Sequence, residues 1–166
     1  MIDLEIAEIT FDAERRRILN ITFSKKDLRF KCKRCSVFCC KLGGPPVTEA
    51  DLKRMAKTGI NPYDFLEPLT SRHSRYVNAV GILKRKKDGS CIFLEYDRSK
   101  RLYECRIYEA RPDLRRLYPF EFTSKGNGKG VLKIIPCCNG LNTPDGRIVD
   151  QEFVEKYLLD AIRAFL

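Results

Sequence analysis

Cysteine is the residue type in this sequence that points most directly to chemistry. The chain has eight cysteines and one histidine among its 166 residues. No basic, apolar leader precedes them, so we expect a cytoplasmic protein whose thiols stay reduced, and clustered reduced thiols are typical of metal sites. The candidate ligands are Cys32, Cys35, Cys39, Cys40, Cys91, Cys105, Cys137 and Cys138. The single histidine, His73, is not assigned as a ligand.

Half of the cysteines lie in one short segment, Cys32-Lys-Arg-Cys35-Ser-Val-Phe-Cys39-Cys40. A C-x2-C step lets two thiolates of one turn reach a single metal centre, and a cysteine four positions later can join them. We therefore expect Cys32, Cys35 and Cys39 to be the primary ligands. Adjacent side chains tend to diverge, so Cys39 and Cys40 are not expected to bind one compact ion together.

The remaining thiols offer a fourth ligand or a second site, and spacing alone does not choose between them. Cys91 and Cys105 fall on predicted strands that a hairpin would bring together, whereas Cys137 and Cys138 form a second adjacent pair. Cys91, beside Ile92, can equally be read as a small buried hydrophobic residue.

The spacing also bears on the identity of the metal. Zinc sites with four cysteines usually carry two C-x2-C knuckles, and this chain has one. Three cysteines in a loop with a remote fourth are typical of iron–sulfur proteins. The pattern therefore favours an iron–sulfur cluster, with [4Fe–4S] first, and zinc is the alternative.

The sequence patterns of the strands and helices that must position these thiols predict an α+β fold in one domain, residues 1–166. It would consist of antiparallel strands and hairpins with a few short helices and a C-terminal helix, organised around cysteine-rich loops. The main parts are an N-terminal β-hairpin over residues 2–24, a cysteine-cluster core over about 30–140 and a C-terminal helix over 150–166, the last predicted from apolar residues at helical spacing.

Local signals place the elements inside the core. Thr48 and Asp51 resemble a capping box at the start of a helix, and Asn61-Pro62 is typical of the start of a second, short one. Asp88-Gly89 predicts a hairpin turn. The predicted strands are residues 75–85, 90–96 and 101–107, followed by a last hairpin of 118–123 and 130–135.

Several of these segments, taken in order, resemble those of a known family. They are CKRCSVFCC at 32–40, PPVTEADLKRM at 45–55, CIFL at 91–94, CRIYEARP at 105–112 and LYPF at 117–120. Together they resemble the YkgJ-like cysteine-cluster family, which is described as a zinc- or iron-chelating CxxCxxCC domain. The resemblance covers about residues 30–140 and implies metal binding through the cysteines.

The sequence departs from the family pattern at two points. Three residues separate Cys35 from Cys39 where the family has two, and Leu114 stands where the family usually has a cysteine. The chain therefore lacks one family ligand or uses Cys137 or Cys138 in its place. A related cysteine cluster occurs in the flagellin lysine methylase, so the resemblance also leaves open a metal-dependent, protein-modifying enzyme.

The chain is strongly basic, with 32 lysines and arginines against 22 acids, a formal net charge of +10. That balance favours an anionic partner, either RNA or an acidic protein, and suggests a basic RNA- or ribosome-associated module with structural zinc as a further alternative. The equally simple reading is compensation of an anionic metal–thiolate centre. The candidate nucleic-acid contacts are Lys33, Arg34, Lys84, Arg85, Lys86, Lys87, Arg115 and Arg116. No apolar run is long enough to span a membrane.

Overall fold

The structure, a computed structural model, describes residues 4–12, 14–15, 17–36 and 38–166. In these residues the strands are β1 (Glu5–Asp12), β2 (Arg17–Phe23), β3 (Arg29–Phe30), β4 (Pro46–Thr48), β5 (Leu66–Glu67), β6 (Ala79–Leu83), β7 (Leu94–Asp97), β8 (Leu102–Cys105), β9 (Phe120–Gly126), β10 (Lys129–Ile134) and β11 (Arg147–Ile148). The α-helices before the C-terminal helix are α1 (Glu49–Ala56) and α2 (Asp113–Leu117). Short 3-10 helices cover Pro62–Phe65, Ser71–His73 and Tyr108–Ala110.

The fold is α+β, as the sequence predicts. Strand accounts for 33% of the described residues and helix for 22%, and the strand ladders described are antiparallel. The chain groups into two compact units: a terminal unit of residues 1–33 and 117–166, and a central unit of residues 34–116. The expectation of one domain over residues 1–166 stays a prediction.

The terminal unit is built on a four-stranded sheet in the order β2-β1-β10-β9. The N-terminal pair β1 and β2 and the last pair β9 and β10 are both antiparallel, in the predicted hairpins. The second hairpin turns at Asn127-Gly128, where both residues have positive φ (51° and 68°), the backbone that a tight hairpin turn requires. The small pair β3 and β11 completes the strands of this unit.

The C-terminal helix covers the sheet of the terminal unit through aromatic contacts. It begins at the Asp150 N-cap and runs as α-helix over Gln151–Phe153, as π-helix over Val154–Leu158 and as α-helix over Leu159–Arg163. The ring of Phe153 lies 5.8 Å from that of Phe120 on β9. Most of the predicted apolar stripe is buried, but Tyr157 is 39% exposed.

The central unit contains a three-stranded sheet in the order β4-β6-β5 and the separate hairpin β7–β8. The sequence predicts that residues 75–85 pair with 90–96, and the structure has this pairing only beside the Asp88-Gly89 turn, not along β6. Around the Asp88-Gly89 turn, the Lys86 N–H donates to the Ser90 carbonyl (2.8 Å) and the Ile92 N–H to the Lys84 carbonyl (3.0 Å), on either side of the Arg85–Cys91 bridge. Farther from the turn, β4 and β5 pair with β6 along its two edges, so the chain leaves to form β7. Cys91 consequently lies before β7 rather than on a strand.

Helix α1 begins where the sequence predicts. The Thr48 hydroxyl accepts a hydrogen bond from the backbone N–H of Asp51, and the Asp51 carboxylate accepts one from the Thr48 N–H (2.9 Å). These bonds satisfy two of the N–H groups that a helix start leaves open. The helix buries Leu52 and Met55, which fixes its position in the core of the central unit.

None of the helices in the described part of the chain combines the length and the apolar composition needed to cross a membrane.

Candidate metal centre

The turn that carries Cys39 and Cys40 is held in place by backbone contacts within the central unit. The carbonyl of Cys40 accepts a 2.8 Å hydrogen bond from the N–H of Cys91, which ties the two cysteine segments together. At Gly44 a side chain would meet the carbonyl oxygen of Leu83 at 1.9 Å, so the loop approaches β6 closer than any other residue type allows. Loop and strand are therefore fixed relative to each other.

Four thiols share one hydrophobic core in this unit. Cys40 and Cys91 are buried among its apolar side chains, and Cys39 and Cys105 pack against the same cluster. The sulfur atoms of Cys39 and Cys40 lie 3.9 Å apart, so these adjacent side chains do not diverge as the sequence argument expects. Cys105 ends β8, opposite Leu94 on β7.

The acidity of these thiols is strongly graded. A hydrogen bond from Cys39 lowers the pKa of Cys40 to about 6, with help from the positive charges of Arg115 and Arg111 and from a hydrogen bond with Ser36, although burial opposes the shift. Burial raises the pKa of Cys105 to about 11 and also raises the pKa of Cys91. Cys40 therefore ionises to the thiolate far more readily than Cys91 and Cys105 do.

Two arginines supply much of the positive field at Cys40. The Nε atoms of Arg111 and Arg115 are buried and have no hydrogen-bond partner among the described residues. The Arg115 guanidinium also donates to the carbonyl of Gly43 in the cysteine loop. Buried, unpartnered N–H groups beside clustered thiols fit an anionic centre, because its charge offsets the cost of their burial.

A buried ion-pair network holds the arginine-bearing segment in position. Arg54 of α1 donates to the Asp113 carboxylate (2.9 Å) and to the Arg111 carbonyl (3.1 Å). The backbone N–H of Asp113 donates to the carboxylate of Asp51 (2.9 Å). Asp51 and Asp113 are almost fully buried, so the helix cap also anchors the segment that carries Arg111 and Arg115.

The other four predicted ligands fall in different places. Cys35 belongs to the central unit, whereas Cys32, Cys137 and Cys138 belong to the terminal unit. Within the terminal unit, the Lys31 N–H donates to the Gly140 carbonyl (3.0 Å), and the Gly140 N–H donates to the sulfur of Cys138 (3.4 Å). These bonds bring the chain next to Cys32 against the turn that carries Cys137 and Cys138.

The geometry stops short of a closed coordination sphere. Across residues 4–12, 14–15, 17–36 and 38–166, no three Cys, His, Asp or Glu side chains are arranged so that they could hold a metal ion. His73 bonds locally to Thr70 in its own 3-10 turn. The donors nevertheless fit a soft metal in their chemistry, because the central core gathers four thiols beside two cations.

The predicted nucleic-acid contacts separate into engaged and exposed cations. Lys84 donates to the Asp64 carbonyl (2.8 Å) and Lys86 to that of Leu94, while Arg116 donates to the Glu109 carbonyl (2.8 Å). Arg34 stacks on Tyr108 and pairs with Glu109. Those left exposed are Lys33 in the terminal unit and Arg85 and Lys87 in the central unit.

Sequence reasoning missed Ser36 and the network around Asp51. Ser36 has a positive φ (52°) and is only 7% exposed, which places its side chain in hydrogen-bond contact with Cys40. Nothing in its residue type signals this. The capping pattern at Thr48 did single out Asp51, but not its bond to the N–H of Asp113.

Comparisons with known proteins agree with the clustered cysteines. A family described as "CxxCxxCC: Putative zinc- or iron-chelating domain" matches residues 31–139. The chain is also similar to "Uncharacterized protein MJ0661" of Methanocaldococcus jannaschii, at 34% identity over 141 aligned residues that cover 79% of this chain and 71% of the relative. No solved structure matches.

Proposed function

The chain belongs to the CxxCxxCC family of zinc- or iron-chelating domains, and from that premise we propose that its central unit binds a single metal ion through four thiolates. The proposed ligands are Cys39, Cys40, Cys91 and Cys105, which would draw together around the ion from the positions described above. We propose Zn²⁺ as the ion, because closed four-cysteine sites are typical of structural zinc.

The observation that carries this proposal is the 3.9 Å separation of the Cys39 and Cys40 sulfur atoms. Two thiolates on one tetrahedral ion, with zinc–sulfur bonds of about 2.3 Å, lie about 3.8 Å apart. Thiolates on different corners of a [4Fe–4S] cluster point outward from separate irons and lie farther apart. The spacing therefore supports one ion over the cluster that the sequence favours.

The protein's own residues prepare this region for a charged centre. Zn²⁺ with four thiolates carries about −2, and the positive charges of Arg111 and Arg115 act on Cys40. A closed site of this kind leaves no open coordination position, so the metal would stabilise the fold of the cysteine loop rather than activate a substrate.

Cys32, Cys35, Cys137 and Cys138 remain predicted ligands. The contacts between the Lys31 segment and the turn at Gly140 support a second thiol group in the terminal unit, made of Cys32, Cys137 and Cys138. A second metal equivalent per chain would belong there.

The test is elemental analysis of zinc and iron per chain on anaerobically purified protein. The unaltered protein is compared with a Cys91→Ser/Cys105→Ser variant and with the matched Cys137→Ser/Cys138→Ser variant. We expect the first variant to lose one equivalent of zinc that the second retains. A Cys91→Ser/Cys105→Ser variant that keeps the zinc content of the unaltered protein, or about four irons per unaltered chain, would contradict the proposal.

A further inference from the structure

The positive charge of this protein is distributed very unevenly. The central unit, residues 34–116, has 18 lysines and arginines against 10 acids, a net charge of +8, whereas the terminal unit has 14 against 12, a net charge of +2. A four-thiolate zinc centre would offset only about two of the eight charges. Compensation of the metal therefore leaves a surplus of about six that requires another explanation.

Four of these cations lie in the run Lys84-Arg85-Lys86-Lys87, but only two of the four are exposed to solvent. Lys84 and Lys86 donate to backbone carbonyls of Asp64 and Leu94, and both are partly buried. Arg85 and Lys87 are exposed and have no acidic partner among the described residues. The alternation along the chain thus presents two cations to solvent.

The cysteine loop carries the next cation. A side chain on Gly43 would lie 2.8 Å from the Cδ of Arg85, so Arg85 packs over the loop two residues from Lys41. The Lys41 ammonium lies 4.3 Å from the centre of the Tyr103 ring. Tyr103 in turn packs against Tyr96 across the β7–β8 hairpin, with ring centres 5.0 Å apart.

The hairpin extends this surface with two more cations at its turn. Arg98 and Arg101 are exposed and have no acidic partner in the described part of the chain. The neighbouring acids are already paired, since Lys100 binds Asp97 and Glu104, and Arg106 pairs with Glu95 on β7. Ion pairing within the hairpin therefore leaves Arg98 and Arg101 without an acidic partner among the described residues.

The Lys41–Tyr103 and Tyr103–Tyr96 contacts join part of this surface, and we call the whole set of residues the basic stripe: Arg85, Lys87, Lys41, Tyr103, Tyr96, Arg98 and Arg101. Five of its seven residues are cations, and Tyr96 is 50% exposed. Lysines and arginines bind phosphates, and exposed aromatic rings stack on unpaired bases.

We propose that the basic stripe binds single-stranded nucleic acid, with bases stacked on Tyr96 and phosphates bound by the five flanking cations. Duplex DNA is usually read by a helix in the major groove. The surplus charge here lies instead on a loop, a turn and a hairpin. An acidic protein would be attracted by the same charge but would not need the exposed ring. The proposal does not depend on which metal fills the cysteine core.

The test measures binding of a fluorescein-labelled 20-nucleotide oligouridine to metal-loaded protein by fluorescence anisotropy across a salt series. Five phosphate contacts on a single strand predict a slope of log K against log salt of about −3.5. An Arg85→Gln/Lys87→Gln variant should bind more weakly, and its slope should be shallower, at about −2. A matched Lys53→Gln/Lys57→Gln variant removes the same charge from two exposed lysines, one on α1 and one at its C-cap, and should keep the slope.

Variants of Tyr96 test the contribution of base stacking separately from that of charge. Tyr96→Ala should weaken binding at least fivefold without changing the salt slope, and Tyr96→Phe should restore binding, because every aromatic ring offers a stacking face. Metal content and melting temperature, measured on each variant, separate loss of binding from loss of fold.

Three results would overturn the proposal. The first is absence of binding to the oligonucleotide at about 50 mM salt, and the second is equal weakening by the stripe variant and the α1 variant. The third is stronger binding to anionic vesicles or to an acidic polypeptide than to the oligonucleotide, with no effect of Tyr96→Ala.

Discussion

The four cysteines of the central core are chemically unequal. A hydrogen bond from Cys39 and the charges of Arg115 and Arg111 lower the pKa of Cys40 to about 6, while burial raises the pKa of Cys105 to about 11. At pH 7.5 Cys40 is therefore mostly thiolate before any metal binds, and Cys105 is a thiol. A metal must displace a proton from Cys105 but finds Cys40 already ionised.

This inequality predicts how many protons metal binding releases at pH 7.5. Cys40→Ser should weaken zinc binding but leave the number of protons released per zinc unchanged. Cys105→Ser should lower that number by about one, because it removes a ligand that is protonated in the metal-free protein. Calorimetric titrations in two buffers of different ionisation enthalpy measure the number. If the Cys40→Ser variant released one proton fewer per zinc than the unaltered protein, Cys40 would not be ionised before metal binding.

At the scale of elements, the close approach of the cysteine loop to β6 positions the site. Gly44 lies against the backbone of Leu83, where any side chain would overlap the carbonyl. Because this carbonyl belongs to a paired strand, it cannot move without disturbing β6. The loop that carries Cys39 and Cys40 therefore depends on one residue without a side chain.

Gly44→Ala should consequently shift the loop and lose the metal. We expect a destabilisation of about 3 kcal/mol, the upper end of the typical cost when a packed site must accept extra volume, because the overlap is with backbone. Gly59→Ala is the control: its φ of +88° costs about 1 to 2 kcal/mol, but its side chain would meet open space. Denaturant unfolding and zinc content measure both. Retention of the metal in Gly44→Ala would contradict this account of the loop.

The elements that were predicted correctly from the sequence are those with local signals. The capping box at Thr48, the Asn61-Pro62 helix start, the last hairpin and the C-terminal helix each depend on residues a few positions apart. The pairing of β6 failed because β4 and β5, distant in sequence, compete for its edges, and alternation does not identify a partner.

The candidate site follows the same division. The importance of the cysteine loop is visible in its composition, but the assignment of Cys32 and Cys39 to different compact units is not. The close Cys39 and Cys40 sulfur atoms and the buried Ser36 depend on backbone conformations with no residue-type signature. Spacing thus predicted thiol chemistry with Cys32, Cys35 and Cys39 as the primary ligands, whereas the close sulfur atoms in the structure are those of Cys39 and Cys40.

At the scale of the whole molecule, the two compact units separate the chemistry. The central unit holds the proposed metal site and the basic stripe, and the terminal unit holds the four-stranded sheet and the C-terminal helix. Metal binding adds its free energy to the unit that contains the ligands. The two units should therefore respond differently when metal is removed.

Hydrogen exchange measured by mass spectrometry, with and without a chelator, tests this difference. Residues 38–56 and 91–105 should lose protection when the metal is removed, because the proposed ligands lie in or beside them. Strands β1 and β10 and the C-terminal helix should keep most of their protection, since their core is built from apolar side chains. Uniform loss of protection across both units would contradict a metal site confined to the central unit.

The central claim is that Cys39, Cys40, Cys91 and Cys105 hold one metal ion. X-ray absorption at the zinc and iron edges tests it most directly, on a Cys32→Ser/Cys137→Ser/Cys138→Ser variant that keeps only the central thiols and Cys35. We predict one zinc per chain with four sulfur neighbours at about 2.3 Å and no metal–metal scattering. A metal–metal contribution, or a shell with fewer than four sulfurs, would contradict the claim.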